Sequence, residues 1–188
     1  MEILKNVFLV EGEGFCSNVY VLINEGEALL IDSGDGSNSD EILSVVGERN
    51  IKVVLLTHGH WDHVGGMRYI NAGGLISRKD AERMDELNSV FPYKKEIKNI
   101  EEFKKEVIKF GSFELQVIPT PGHTPGSVCF FERRNRILFS GDTLFAYGYV
   151  GRTDLPGGDE RQLAESLEKI KKLNYKLLCP GHEGVERL

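Results

Sequence analysis

The chain has 188 residues, 40% of them hydrophobic and 28% charged, which fits one ordinary globular domain with a real core. Acidic residues outnumber basic ones, 29 against 23, for a formal charge of −6. That balance argues against a nucleic-acid partner, which calls for a basic field. The longest stretch free of formal charge, Leu115 to Phe131, holds three prolines and two glycines, so no membrane partner is expected either. The first residues lack a cationic start, an apolar run and a small-residue cleavage site, so no export signal is expected. Cys16, Cys129 and Cys179 are odd in number and far apart. They read as small buried hydrophobes in a reducing, cytoplasmic protein.

In chain order, Val7 to Val10, Asn18 to Ile23 and Ala28 to Ile31 read as strands joined by Glu-Gly-rich turns. A helix is predicted from Ser39-Asp40-Glu41, with Ile42, Leu43 and Val46 as its apolar stripe. Lys52 to Leu56 is a short apolar strand, with a helix expected after His63. Lys79 to Asn88 reads as an exposed, charged helix. Val107 to Phe110 and Phe113 to Ile118 form one hairpin, and Val128 to Phe131 and Ile137 to Phe139 another. Glu160 to Leu173 is the clearest helix, with Leu163, Leu167 and Ile170 spaced i, i+4, i+7. Lys176 to Cys179 is the last strand. The elements read as a single mixed α/β domain over residues 1–188.

Four apolar strands run straight into segments rich in His or Asp: Thr57 to His63, Pro119 to His123, Ser140 to Asp142 and Pro180 to His182. All five histidines of the chain lie in these segments. Strand ends are rigid supports, and several converging ends make a site. His58 and His60 are two apart, so in extended backbone both face one metal. Asp62 and His63 are adjacent and diverge, which suits a second metal beside the first. With His123, Asp142 and His182 the set reaches seven donors, too many for one tetrahedral zinc. It fits two ions sharing one carboxylate. Imidazole and carboxylate donors suit zinc, with iron or manganese as alternatives, and the absence of thiolate points to a catalytic centre.

The segments THGHWDHVGG, TPGHTPGS, SGDTLF and CPGH resemble the metallo-beta-lactamase superfamily, and within it the glyoxalase II branch of hydroxyacylglutathione hydrolases. The resemblance implies a four-layer αβ/βα sandwich of α/β (α+β) class, with metals at one edge of two packed sheets. It implies that His58, His60 and His123 hold the first metal, that Asp62, His63 and His182 hold the second, and that Asp142 bridges them. Asp32, in the segment LIDSG, matches the superfamily's first motif, where it supports the ligands without binding metal. The resembled enzymes also carry a C-terminal helical domain that helps bind glutathione. Here six residues follow His182, so that domain is expected to be absent. Arg152 matches their basic loop position, whereas Asp154 stands where they have tyrosine.

The expected activity is metal-dependent hydrolysis of a small-molecule thioester by a hydroxide shared between two cations. A thiolate leaves without much help, which suits a site lacking an obvious general acid. Asp62 and Asp142 are the expected catalytic carboxylates, Asp142 as bridge and Asp62 as ligand with the capacity to shuttle a proton. Two roles are open to Arg152: a fork for a substrate carboxylate, or a surface partner of Asp154 or Asp159. Phe145, Tyr147 and Tyr149 line a pocket wall or pack the core. The alternative activity is that of the iron-dependent persulfide dioxygenases, whose loop resembles Gly151 to Asp154. In that reading His58, His123 and Asp142 would hold one iron.

Overall fold

Apolar runs punctuated by Asn, Glu and Gly dominate the first thirty residues, and they fold as a meander. In the computed structural model, which describes residues 1–91, 97 and 99–188, they form β1 (Glu2–Leu4), β2 (Val7–Val10), β3 (Val19–Asn24) and β4 (Glu27–Ile31). Each pairs antiparallel with the next. Helix α1 (Ser39–Val46) then carries the chain back, so that β5 (Asn50–Leu55) lies parallel to β4. The short α2 (Trp61–Val64) leads to β6 (Gly74–Ile76), and α3 (Arg78–Ala81) and α4 (Met84–Leu87) lead to β7 (Ile100–Glu102). These strands complete a seven-stranded mixed sheet in sequence order.

The second half repeats the plan. Strands β8 (Val107–Phe110), β9 (Phe113–Pro119), β10 (Val128–Glu132) and β11 (Ile137–Gly141) form antiparallel hairpins. Helix α5 (Glu160–Ile170) crosses over to β12 (Leu177–Pro180), parallel to β11, and β13 (Glu186–Arg187) closes the edge. The second sheet is six-stranded, in the order β13-β12-β11-β10-β9-β8.

Alternation of side chains across each strand decides the layers. Leu9, Tyr20, Leu22, Leu29, Ile31 and Leu55 of the first sheet meet Phe113, Leu115, Phe130 and Phe139 of the second. On the far face of the first sheet, Val21, Leu30 and Val54 pack against Ile42 and Val46 of α1. On the far face of the second, Cys129, Leu138 and Leu178 pack against Ile170 and Leu167 of α5. The result is the helix–sheet–sheet–helix sandwich that the family resemblance implies. All three cysteines are free and buried. No helix among the described residues is long and apolar enough to cross a membrane. Phe139 is fully buried at the centre and meets the Tyr20 ring edge-on at 5.2 Å. Phe139→Ala is expected to cost about 3–5 kcal/mol, measurable as a lower urea midpoint with unchanged slope.

Two segments depart from the sequence reading. The helix expected after His63 begins at Trp61, so Asp62 and His63 occupy its first turn. Lys79 to Asn88 is not one exposed helix but the pair α3 and α4, and Asp80 within it is fully buried. Its carboxylate finds three donors from distant loops, and those bonds outweigh the charge pattern that predicts exposure. Strands β1, β6, β7 and β13 are also additions. Each is two or three residues long, too short for an alternation signal.

Candidate metal centre

Both sheets send strand ends to the same edge of the sandwich. The β5 end delivers His58 and then His60, whose backbone is extended, followed by α2 with Asp62 and His63. The β9 end delivers His123, the β11 end Asp142, and the β12 end His182. All seven residues expected from the sequence converge here.

The donor atoms form two triads. His58 Nε2 lies 3.1 Å from His60 Nδ1, which lies 2.9 Å from His123 Nε2. His182 Nε2 lies 3.3 Å from Asp62 Oδ2, and His63 Nε2 lies 3.7 Å from the same oxygen. Asp142 stands between the triads. Its Oδ1 is 3.2 Å from His63 Nε2, and its Oδ2 is 3.5 Å from both His123 Nε2 and His182 Nε2.

Outer partners fix which nitrogen faces inward. His123 Nδ1–H donates to the Arg152 carbonyl at 2.7 Å. His63 Nδ1–H donates to Asp32 Oδ2 at 2.8 Å. The Thr57 hydroxyl donates to the same Asp32 oxygen at 2.8 Å, so its own oxygen is free to accept from His58 Nδ1–H at 3.1 Å. Each of these rings therefore turns its Nε2 to the centre. Asp32 also accepts the Thr57 backbone N–H at 2.8 Å, and it does so from a left-handed backbone position with φ 59°. It touches Thr57 and His63 without joining the triads.

Electrostatics divide the two groups. Burial, reinforced by the neighbouring His63 and His123, holds His58 well below the usual histidine range. Burial and then His123 lower His60 to about 3. Burial acts the same way on His63 and His182, but carboxylates win there. Asp142, Asp32 and Asp62 hold His63 well above the ordinary value, and Asp142 and Asp62 raise His182 to about 9. Burial works against Asp142 ionising, yet His63 and His182 keep its carboxyl well below the usual range.

These features fit metal ions. Three imidazole nitrogens meet at hydrogen-bond distance in the first triad, an arrangement that suits a shared cation. His63 Nε2 and Asp142 Oδ1 are buried, misaligned for a hydrogen bond to each other, and otherwise unpartnered. Buried polar atoms without partners are rare and call for a ligand. Space is kept for them too. A Cβ on Gly181 would overlap Asp142 Oδ1 and His63 Cε1, so the residue before His182 has to be small.

Arg152 pairs at the surface with Asp154, one of the two partners named for it. Its Nε and Nη2 donate to the two carboxylate oxygens of Asp154 at 2.6 Å, and both side chains are exposed. Arg152 holds the Asp154 carboxyl down to about 2. Asp159 does not join them. It caps α5 by accepting the Gln162 N–H. Phe145 lies beside His182, with ring centroids 6.1 Å apart, while Tyr147 and Tyr149 are exposed and pack no core.

Sequence reasoning misses three supports. Asn18 donates from Nδ2 to the Pro180 and Glu183 carbonyls, and Asn88 donates from Nδ2 to the Gly59 carbonyl. Asp80 binds the Gly59 and Gly126 N–H groups and the Thr124 hydroxyl. Their partners are mostly backbone atoms, which leave no residue pattern to find.

Comparison with known proteins agrees with this geometry. The sequence profile of the metallo-beta-lactamase superfamily matches residues 12–182. A probable metallo-hydrolase of Methanocaldococcus jannaschii is 33% identical, over 95% of this chain and 93% of that protein. The hydroxyacylglutathione hydrolase GloC of Haemophilus influenzae is 31% identical, over 95% of this chain and 91% of that protein. Among solved structures, TTHA1623 in a di-iron-bound form superposes with a TM-score of 0.79 at 29% identity, covering 96% of this chain and 94% of that one.

Proposed function

The chain belongs to the metallo-beta-lactamase superfamily and is a metal-dependent hydrolase, and from that premise we propose that it cleaves thioesters in the manner of glyoxalase II. The observation that carries this reading is the full commitment of the histidines. All five side chains reach into the two triads. None is left to protonate a poor leaving group. A thiolate needs no such help, because its conjugate acid has a pKa of about 8.5. The likeness to a hydroxyacylglutathione hydrolase supports the same substrate class.

His58, His60 and His123 would hold one ion, Asp62, His63 and His182 the other, and Asp142 would touch both. Two divalent ions there, zinc in our reading with iron or manganese as alternatives, would supply Lewis acidity and water acidified towards neutral pH. The protein orients everything around them. Asp32 and Thr57 lock the His58 and His63 rings, and the Arg152 carbonyl locks His123. His182 and Asp62 are the most exposed of the seven donor side chains, at 25% and 15%. Substrate therefore enters on their side, and Asp62 is placed to pass a proton to or from solvent. Arg152 reaches an anionic substrate by exchanging Asp154 for it. The exposed pair is a weak obstacle, since surface ion pairs contribute little. Arg152→Ala is then expected to raise KM for an anionic thioester with kcat unchanged, and to leave a neutral thioester unaffected.

The test couples metal analysis of protein purified without added metal to a glutathione-thioester hydrolysis assay. Two metals per chain with thioester turnover are expected. One iron per chain, no thioester turnover, and oxygen uptake with a persulfide would move the assignment to the dioxygenase chemistry.

A further inference from the structure

Asp80 is a fully buried carboxylate in α3, remote in sequence from every residue of the two triads. Its Oδ2 accepts the Gly59 N–H at 2.9 Å and the Thr124 hydroxyl at 2.7 Å. Its Oδ1 accepts the Gly126 N–H at 2.7 Å. Gly59 sits between His58 and His60, on the loop leaving the first sheet. Thr124 and Gly126 follow His123, on the loop leaving the second. One side chain thus ties together the two loops that bring the first triad into register. The approach is tight: a Cβ on Gly126 would stand 2.5 Å from Asp80 Oδ1. Asn88 grips the same loop from α4. Its Nδ2 donates to the Gly59 carbonyl at 2.9 Å, and its Oδ1 accepts the Trp61 N–H at 2.8 Å.

The second triad is fastened by different residues. The Ser33 N–H and hydroxyl both donate to the His63 carbonyl at 2.8 Å. The Ser17 N–H donates to the Asp62 carbonyl at 3.2 Å. Asn18 N–H donates to the Gly181 carbonyl at 2.7 Å, and the Tyr20 hydroxyl to the Pro180 carbonyl at 2.7 Å.

We propose that Asp80 is a positioning residue for the His58–His60–His123 half of the centre alone, setting that half's metal affinity by holding the loops of the two sheets together. The proposal rests on the two-metal reading above. Carboxylates that orient ligands from outside commonly account for about 10–100-fold in metal affinity.

The test is stepwise cobalt(II) titration of the chelator-stripped protein, read by visible absorption and equilibrium dialysis. Wild type is expected to take two equivalents. Asp80→Asn keeps the size but turns an amide NH₂ towards N–H or O–H donors. It is expected to bind one equivalent as wild type does and the other about 10–100-fold more weakly. Thr124→Val keeps the shape and removes one of the three donors, so it should weaken the same equivalent by about 2–10-fold. If Asp80→Asn does not fold, the Thr124→Val titration decides alone. Equal weakening of both equivalents, or no weakening, overturns the positioning role while leaving the two-metal centre intact. Uptake of one equivalent by wild type overturns the two-metal reading and the selective effect together.

Discussion

Asp142→Ala is expected to abolish hydrolysis, by about 10³-fold or more, and to release one metal or both. Asp142 is the carboxylate whose oxygens reach donors of both triads: His123 of the first, His63 and His182 of the second. Asp62 pairs with His63 and His182 only. Without Asp142 two ions held by the triads would share no carboxylate, and His63 loses the neighbour that contributes most to its charge balance after burial. The Gly181 backbone beside it is held by Gly141 and Asn18. Metal content by elemental analysis and kcat/KM on a thioester check the prediction together. A variant with full metal content and wild-type turnover would contradict the bridging role.

Asp32→Ala is expected to damage the fold more than the chemistry. Three buried donors lose their acceptor: the Thr57 N–H, the Thr57 hydroxyl and His63 Nδ1–H. Each orphaned donor costs about 1–3 kcal/mol, and alanine tolerates the left-handed backbone at φ 59° less well than aspartate does. A loss of about 3–9 kcal/mol follows, a large share of a typical total of about 5–15 kcal/mol. Metal affinity at the His63 half should fall about 10–100-fold, with the other half less affected. Urea unfolding with chelator present isolates the first effect, and metal titration the second. Wild-type stability in the chelated variant would sink the argument.

The ligands and their support differ in how far the sequence reveals them. His58 to His63 are packed into six consecutive residues, and strand geometry alone turns His58 and His60 to one side. His123, Asp142 and His182 each end an apolar strand, so their convergence follows once the strands share a sandwich. Asp80 offers no such signal. It sits among Arg78, Lys79, Glu82 and Arg83, where charge predicts solvent. What buries it are glycine N–H groups and a threonine 21 to 46 residues away. Asn18 and Asn88 escape for the same reason. The break between α3 and α4 is equally silent, since both flanks contain good helix formers and only tertiary bonding separates them.

The split origin of the donors has a consequence for the lifetime of the protein. His58 to His63 hang from one sheet, while His123, Asp142 and His182 hang from the other. An ion held by His60 and His123 would therefore be a stitch across the seam of the sandwich, lost whenever the halves part. Ligation that only the assembled form can offer shifts the opening equilibrium by mass action, by about 4 kcal/mol when free metal is a thousandfold above its dissociation constant. A metal-starved cell would then expose the seam to its proteases first, and the abundance of this enzyme would track metal supply without any dedicated regulator.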